Sequence, residues 1–261
     1  MIKNPVLGAI IGDIVGSTYE RFPGEINPNF PLFDKSKHIS DDSIMTLAIA
    51  NWLINEEKDL IGELQRFGRK YPNAGYGGTF SEWIRSDNPL PYNSWGNGSA
   101  MRVSPVGCVS NDFNDCLSLA KKSAEVTHNH PEGIKGAQAT ASAIYMALTG
   151  YSKDQIKETI KTHFGYNLNR SLQEISNNGF HVSCQKSVPE AIICFLKSTD
   201  FEGTIRNAVL VHGDTDTQAA IAGSIAAAYY GIPEDIAEQG LKYLDEYLLE
   251  VFNTFNEKFK L

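Results

Sequence analysis

The chain has 261 residues, 42% hydrophobic and 21% charged, with a formal net charge of −8. That length suits one large or two small domains with an ordinary globular core. The acidic balance argues against a general binder of nucleic acid or anionic membranes, while leaving room for a local basic pocket.

Cys108, Cys116, Cys184 and Cys194 show no C-x-x-C spacing, so they read as buried thiols of a reducing compartment, not as zinc ligands or disulfides. The N-terminal stretch is too short and interrupted for a signal peptide. The apolar run after Thr217 holds about a dozen residues, below the roughly 20 that cross a bilayer. The expectation is a cytoplasmic protein.

Pro5 to Thr18 reads as a helix in which Gly8, Gly12 and Gly16 form one small-residue stripe, open to close approach by another helix. Asp13 lies inside this apolar stretch and needs a partner, structural or functional. The loop from Phe22 to Ile39 is long and proline-rich, as lids and binding segments often are. Ser40-Asp41-Asp42-Ser43 opens the next helix, with Ile44, Leu47, Ala48 and Trp52 as its apolar face. Ser40 suits an N-cap, and acids in the first turn suit the helix dipole.

Helices are expected over 60–70 and 80–85, separated by a loop with Gly75, Gly77 and Gly78. Ser94-Trp95-Gly96-Asn97-Gly98-Ser99-Ala100-Met101-Arg102 follows. A glycine loop before a helix exposes N–H groups suited to phosphate, although Trp95 suits a core equally well. Helices at 112–126, 132–148, 153–163, 188–196 and 204–211 come next. His128 and His130 stand two apart, not the four that put two metal ligands on one helical face. Hydrogen bonding or substrate contact fits them better. Residues 164–187 carry no readable chemistry.

The densest stretch is His212-Gly213-Asp214-Thr215-Asp216-Thr217. In regular helix the two carboxylates would diverge, since each residue turns about 100°. In a turn permitted by Gly213 they converge, and converging carboxylates call for a cation. One Asp satisfies an N-cap; the second favours a hard-cation site. If this helix start met the one at Asp41 and Asp42, the two would form a pocket of oxygen ligands. An alanine-rich helix to Gly231 and an amphipathic helix from Glu234 to Phe255 complete the chain. No segment alternates with period two, so the expected fold is a single all-α domain over 1–261 with roughly a dozen helices.

The motifs Gly12-Asp13-Ile14-Val15-Gly16 with Glu20, Ser40-Asp41-Asp42-Ser43, the glycine loop from Gly96 to Arg102, Thr127-His128 and Gly213-Asp214-Thr215-Asp216-Thr217 stand in one order. In that order the chain resembles the ADP-ribosylglycohydrolase family, nearly end to end. The resemblance implies an all-α bundle around a central cleft holding two divalent cations, magnesium or manganese. It implies Ser40, Asp41, Asp42, Asp214, Asp216 and Thr217 as metal ligands or their immediate surroundings. Ser94, Trp95, Gly96, Asn97, Gly98, Ser99 and Met101 would hold diphosphate, proximal ribose and adenosine, with His128 on the distal ribose or phosphate and Asp13 orienting groups around the site.

Glu20 would be the general acid or base at the C1″ glycosidic bond; the alternative gives that role to Asp42 or Asp214. The implied substrate is an ADP-ribosylated protein or small ADP-ribosyl conjugate, nucleic acid entering only as a modified substrate. A two-metal phosphohydrolase cleaving a diphosphate and a non-catalytic ADP-ribose-binding protein are the rival readings. Two departures stand out: Ser40 and Ser43 replace the family's usual threonines, and His212 replaces a glycine, bringing bulk and a potential charge toward the metals. Acceptor discrimination is expected in the loop Phe22 to Ile39.

Overall fold

Asn4 caps the first helix, its side chain accepting the Leu7 N–H at 2.9 Å, and Pro5 takes the first helical position, where its missing N–H costs nothing. The computed structural model describes residues 1–176 and 178–261. Its elements are α1 (Pro5–Gly16), α2 (Asp41–Ile54), α3 (Leu60–Lys70), α4 (Gly78–Arg85), α5 (Gly98–Met101), α6 (Ser104–Val109), α7 (Phe113–Glu125), α8 (Pro131–Leu148), α9 (Lys153–Phe164), α10 (Leu172–Ser176), α11 (Cys184–Leu196), α12 (Phe201–Leu210), α13 (Thr215–Tyr230), α14 (Glu234–Leu241) and α15 (Glu246–Phe259). Among the described residues there is no sheet, only isolated bridges between Ile2 and Ile232 and between Gly96 and Ser183.

Every residue of α1 is buried, and α13 is buried from Thr215 to Ala228. The glycine stripe explains how two such helices meet. A Cβ at Gly8 would lie 2.4 Å from the Gly223 carbonyl oxygen, one at Gly12 2.0 Å from that of Ala219, and one at Gly16 2.4 Å from that of Thr215. Thr215 Oγ1 ties the ends together by donating to the Gly16 carbonyl at 2.9 Å. The other helices wrap this pair, and one apolar cluster runs from Val6 to Phe255.

Besides adding the short helices α6 and α10, the structure departs from the sequence reading in three places. The expected helix 234–255 is two, because Asp245 caps a new start by accepting the Leu248 N–H at 2.9 Å, and Lys242 to Leu244 form tight turns instead. Helix α11 begins at Cys184, ahead of Pro189, because its first residue is pinned to the glycine loop: Cys184 N donates to the Trp95 carbonyl at 3.0 Å. The loop 22–39 is fastened down and does not wall the cleft. Arg206 holds the carbonyls of Pro28 and Phe30, Lys37 Nζ holds that of Val15 at 2.7 Å, and Ile26 and Phe30 are buried.

Gly12→Ala should cost about 3 kcal/mol through overpacking against an unyielding backbone. A urea unfolding midpoint equal to that of the wild type would contradict backbone-to-backbone packing of α1 on α13.

Candidate active site

The packing of α1 on α13 brings Asp13 beside the start of α13, and α2 completes the group. Asp13 Oδ2 accepts the backbone N–H of Ser40 at 2.9 Å and of Ser43 at 3.0 Å, together with the Ser43 hydroxyl. One buried carboxylate of α1 thus docks the first turn of α2. Carboxylate oxygens of Asp13, Asp42 and Asp216 all lie within 4.8 Å of one another. Asp42 Oδ2 accepts from Thr217 Oγ1 at 3.2 Å and from Ser40 Oγ at 3.4 Å. The two anionic helix starts therefore meet.

Asp13 Oδ1 and Asp42 Oδ1 are buried without a hydrogen-bond partner. Buried polar atoms in folded proteins are nearly always satisfied, and two bare carboxylate oxygens in an all-oxygen cluster have the donor chemistry of a hard divalent cation. The residues fit the metal that the resemblance implies.

The electrostatics agree. Burial pushes the Asp42 and Asp216 carboxyls well above their ordinary range; the charge of Asp216 then raises Asp42, that of Asp214 raises Asp216, and Asp13 acts on both. Asp41, half-buried at the rim, is pushed to about 7 by burial and then by the charges of Asp13 and Asp214. Burial raises Asp214 as well, opposed by a 2.6 Å bond from Asn97 Nδ2 to its Oδ2.

A cleft of about 370 Å³ opens over this cluster. Its acidic end is Asp41, Asp42, Asp214, Asp216 and Thr217; its other wall carries Ser94, Gly96, Asn97, Gly98, Met101, Arg102 and His128. The glycine loop is braced from outside, with Asn97 N donating to the Val182 carbonyl at 2.8 Å and Ser94 Oγ accepting the Gly96 N–H at 3.1 Å. Glu20 lies at the mouth beside Arg21, whose guanidinium stacks 4.3 Å above the Phe180 ring.

Other expected residues lie off the cleft wall. Ser40 Oγ caps α2, accepting the Asp42 N–H at 3.2 Å, and Asp13 is fully buried and does not line the cleft. Ser99 is turned inward, donating to the Gly133 carbonyl at 2.7 Å, and the Trp95 ring is half exposed on the outer surface, in neither core nor cleft. His212 stays off the wall too. It occupies the left-handed region at φ 61°, the conformation that explains a glycine at this position.

Sequence reasoning missed Phe180 and Val182, exposed on the rim, and Gly75, Gly77, Gly78, Thr79 and Phe80, which line the same cleft. The rim segment is set by buried Glu190 of α11, which meets Arg170 at 3.3 Å, His181 at 3.0 Å and Asn178. Only a buried acid among apolar residues of α11 hints at this in the sequence.

A model of the ADP-ribosylglycohydrolase family matches residues 2–259. The chain belongs to that family. It is therefore an enzyme of the glycosidase class. It is 27% identical to mouse ADP-ribosylhydrolase ARH3, over 87% of this chain and 83% of that one. It is 24% identical to ADP-ribosylarginine hydrolase Tri1 of Pseudomonas putida, over 88% and 70%. A solved structure described as an ADP-ribosylglycohydrolase-related protein complex superposes with a TM-score of 0.72 at 24% identity, covering 98% of each chain, which shows the shared fold.

Asp216→Asn keeps the acceptor for the Thr217 N–H while removing one charge from the cluster. In chelator it should raise stability by about 1 kcal/mol, a gain of roughly 2–4 °C in Tm. Added magnesium or manganese should raise the Tm of the wild type and not that of the variant. Equal metal shifts in both would exclude Asp216 from the cation site.

Proposed function

We propose that this family member is a divalent-cation-dependent ADP-ribosyl hydrolase. It cleaves the C1″ N- or O-glycosidic bond between ADP-ribose and an acceptor, and releases free ADP-ribose. The observation that carries the reading is one cleft with two chemically distinct ends. The acidic end holds bare carboxylate oxygens, and the glycine-loop end offers Gly96, Gly98 and the ring of His128. The first suits a cation and the hydroxyls it binds; the second suits a phosphorylated sugar. The names of the mouse and Pseudomonas putida relatives support the same class.

Glycosidic cleavage passes through an oxocarbenium-like transition state, helped by protonating the leaving group and activating water. Asp42, Asp216 and Thr217, with Asp41 and Asp214 at the rim and Asp13 behind, would hold the cations. When bound, divalent cations supply Lewis acidity toward sugar hydroxyls and water and offset the clustered negative charge. Asn97 orients Asp214 through its amide, itself held by Ser187 at 3.0 Å from Nδ2 to Oγ. Glu20, partly exposed at the mouth and tethered by Arg21, moves the proton at the scissile bond. Arg21 N reaches the Gly213 carbonyl at 3.4 Å, so the Glu20 segment is tied to the turn that carries Asp214.

Glu20→Gln should lower turnover about 10²–10⁴-fold while leaving ADP-ribose affinity and the metal-induced Tm shift unchanged. Unchanged turnover would move the proton transfer to Asp42 or Asp214. Arginine-, serine- and nucleotide-linked ADP-ribose, each assayed with magnesium, manganese or chelator, should yield free ADP-ribose from at least one linkage only when metal is present. AMP as the product would instead identify a phosphohydrolase.

A further inference from the structure

Arg102 is fully buried at the base of the glycine-loop wall, and among the described residues it forms no salt bridge. Its Nη2 donates to the Ser123 carbonyl at 3.0 Å and to Thr127 Oγ1 at 2.9 Å. Thr127 Oγ1 lies 2.7 Å from His128 Nδ1. The direction of that last bond follows from counting protons. Guanidinium only donates, so one Thr127 lone pair is taken by Arg102. The other nearby acceptor for the hydroxyl proton is the Ala124 carbonyl at 3.5 Å, which already receives the N–H groups of Thr127 at 3.1 Å and His128 at 2.8 Å. A carbonyl has two lone pairs, so the hydroxyl proton goes to Nδ1.

We propose that Arg102 and Thr127 are positioning residues that hold His128 as a neutral imidazole with its Nε2–H directed into the cleft.

The space for that donor is kept by glycines. A Cβ at Gly98 would come within 3.1 Å of Nε2, and one at Gly96 within 3.6 Å. Nε2 has no protein acceptor among the described residues, while the ring lines the cleft. The titratable side chains facing the ring are Arg102 and Tyr92, whose ring centroid is 6.1 Å away. Burial and the Arg102 charge hold the imidazole well below its usual pKa. The Nε2–H is thus a permanent donor for an ether, hydroxyl or phosphate oxygen of the bound ligand. That the ligand is ADP-ribose rests on the reading above; the tautomer does not.

The test is the nitrogen spectrum of ¹⁵N-histidine-labelled full-length protein against pH, with His128 assigned by His128→Gln, and calorimetric ADP-ribose affinity at one fixed pH. Wild type should show the Nε2–H tautomer alone and no His128 titration between roughly pH 5 and 8. Thr127→Val should mix the tautomers and weaken ADP-ribose binding about tenfold, the loss of one well-made hydrogen bond; Thr127→Ser should restore both. An Nδ1–H tautomer or a titrating His128 in wild type overturns the proposal, as does Thr127→Val with an unchanged spectrum. The wild-type spectrum decides alone if the valine variant does not fold. The expected tautomer in a protein that does not bind ADP-ribose would support the relay and refute the ligand.

Discussion

Helices α1 and α13 touch through backbone rather than through side chains, at Gly8 with Gly223, at Gly12 with Ala219 and at Gly16 with Thr215. At the last of these levels α1 ends where α13 begins, which sets Asp13 beside Asp216. The same Asp13 carboxylate then takes the N–H groups of Ser40 and Ser43 and so orients the first turn of α2, delivering Asp42 to the group. Three helices thus share one carboxylate at their junction. The close approach comes first and the acidic pocket follows from it.

A pocket assembled in this way is electrostatically unfavourable to the free protein. Carboxylates from three helices face one another in a buried place, and no lysine or arginine forms a salt bridge with any of them among the described residues. Stability accumulated in the large apolar core carries this local repulsion, as at other functional sites where conflicting groups persist because the surroundings overdetermine them. At the glycine-loop wall the arrangement is of the opposite sign. There burial, joined by a guanidinium spread over a carbonyl and a hydroxyl, holds a neighbouring imidazole well below its usual pKa. The two ends of the cleft differ in charge through placement of a few buried groups, despite the uniformly acidic composition.

What the sequence disclosed follows the range of the interactions responsible. Helices with 3–4 spacing, the cap at Ser40 and the stripe at Gly8, Gly12 and Gly16 are local patterns, and they stand where expected. The meeting of Asp42 with Asp216 was legible because each helix start carried more acid than capping explains. For Asp13 the structural alternative is met by Oδ2, which docks the first turn of α2, while Oδ1 stays without a protein partner. Segment 178–182 carries no pattern of its own; Glu190 sets it from a neighbouring helix. The loop 22–39 has the length and prolines of a lid, yet its anchors are backbone carbonyls gripped by Arg206 and Lys37, contacts with no signature in residue type. Helix α15 parts from α14 because one aspartate turned to cap, which periodicity does not register.

The hydrogen bond joining the end of α1 to the start of α13 spans 199 residues. Ribosomes add about 5–20 residues per second, so α1, apolar but for Asp13 and buried along its whole length in the fold, leaves the exit tunnel roughly 10–40 s before the α13 surface that covers it exists. During that interval α1 has α2 to pack on, through Asp13, but its glycine stripe lacks the helix it was shaped for. Nascent-chain chaperones that shield apolar segments would thus find α1 among their targets on this protein. The architecture that concentrates the acids also makes α1 wait, during synthesis, for a partner 199 residues away.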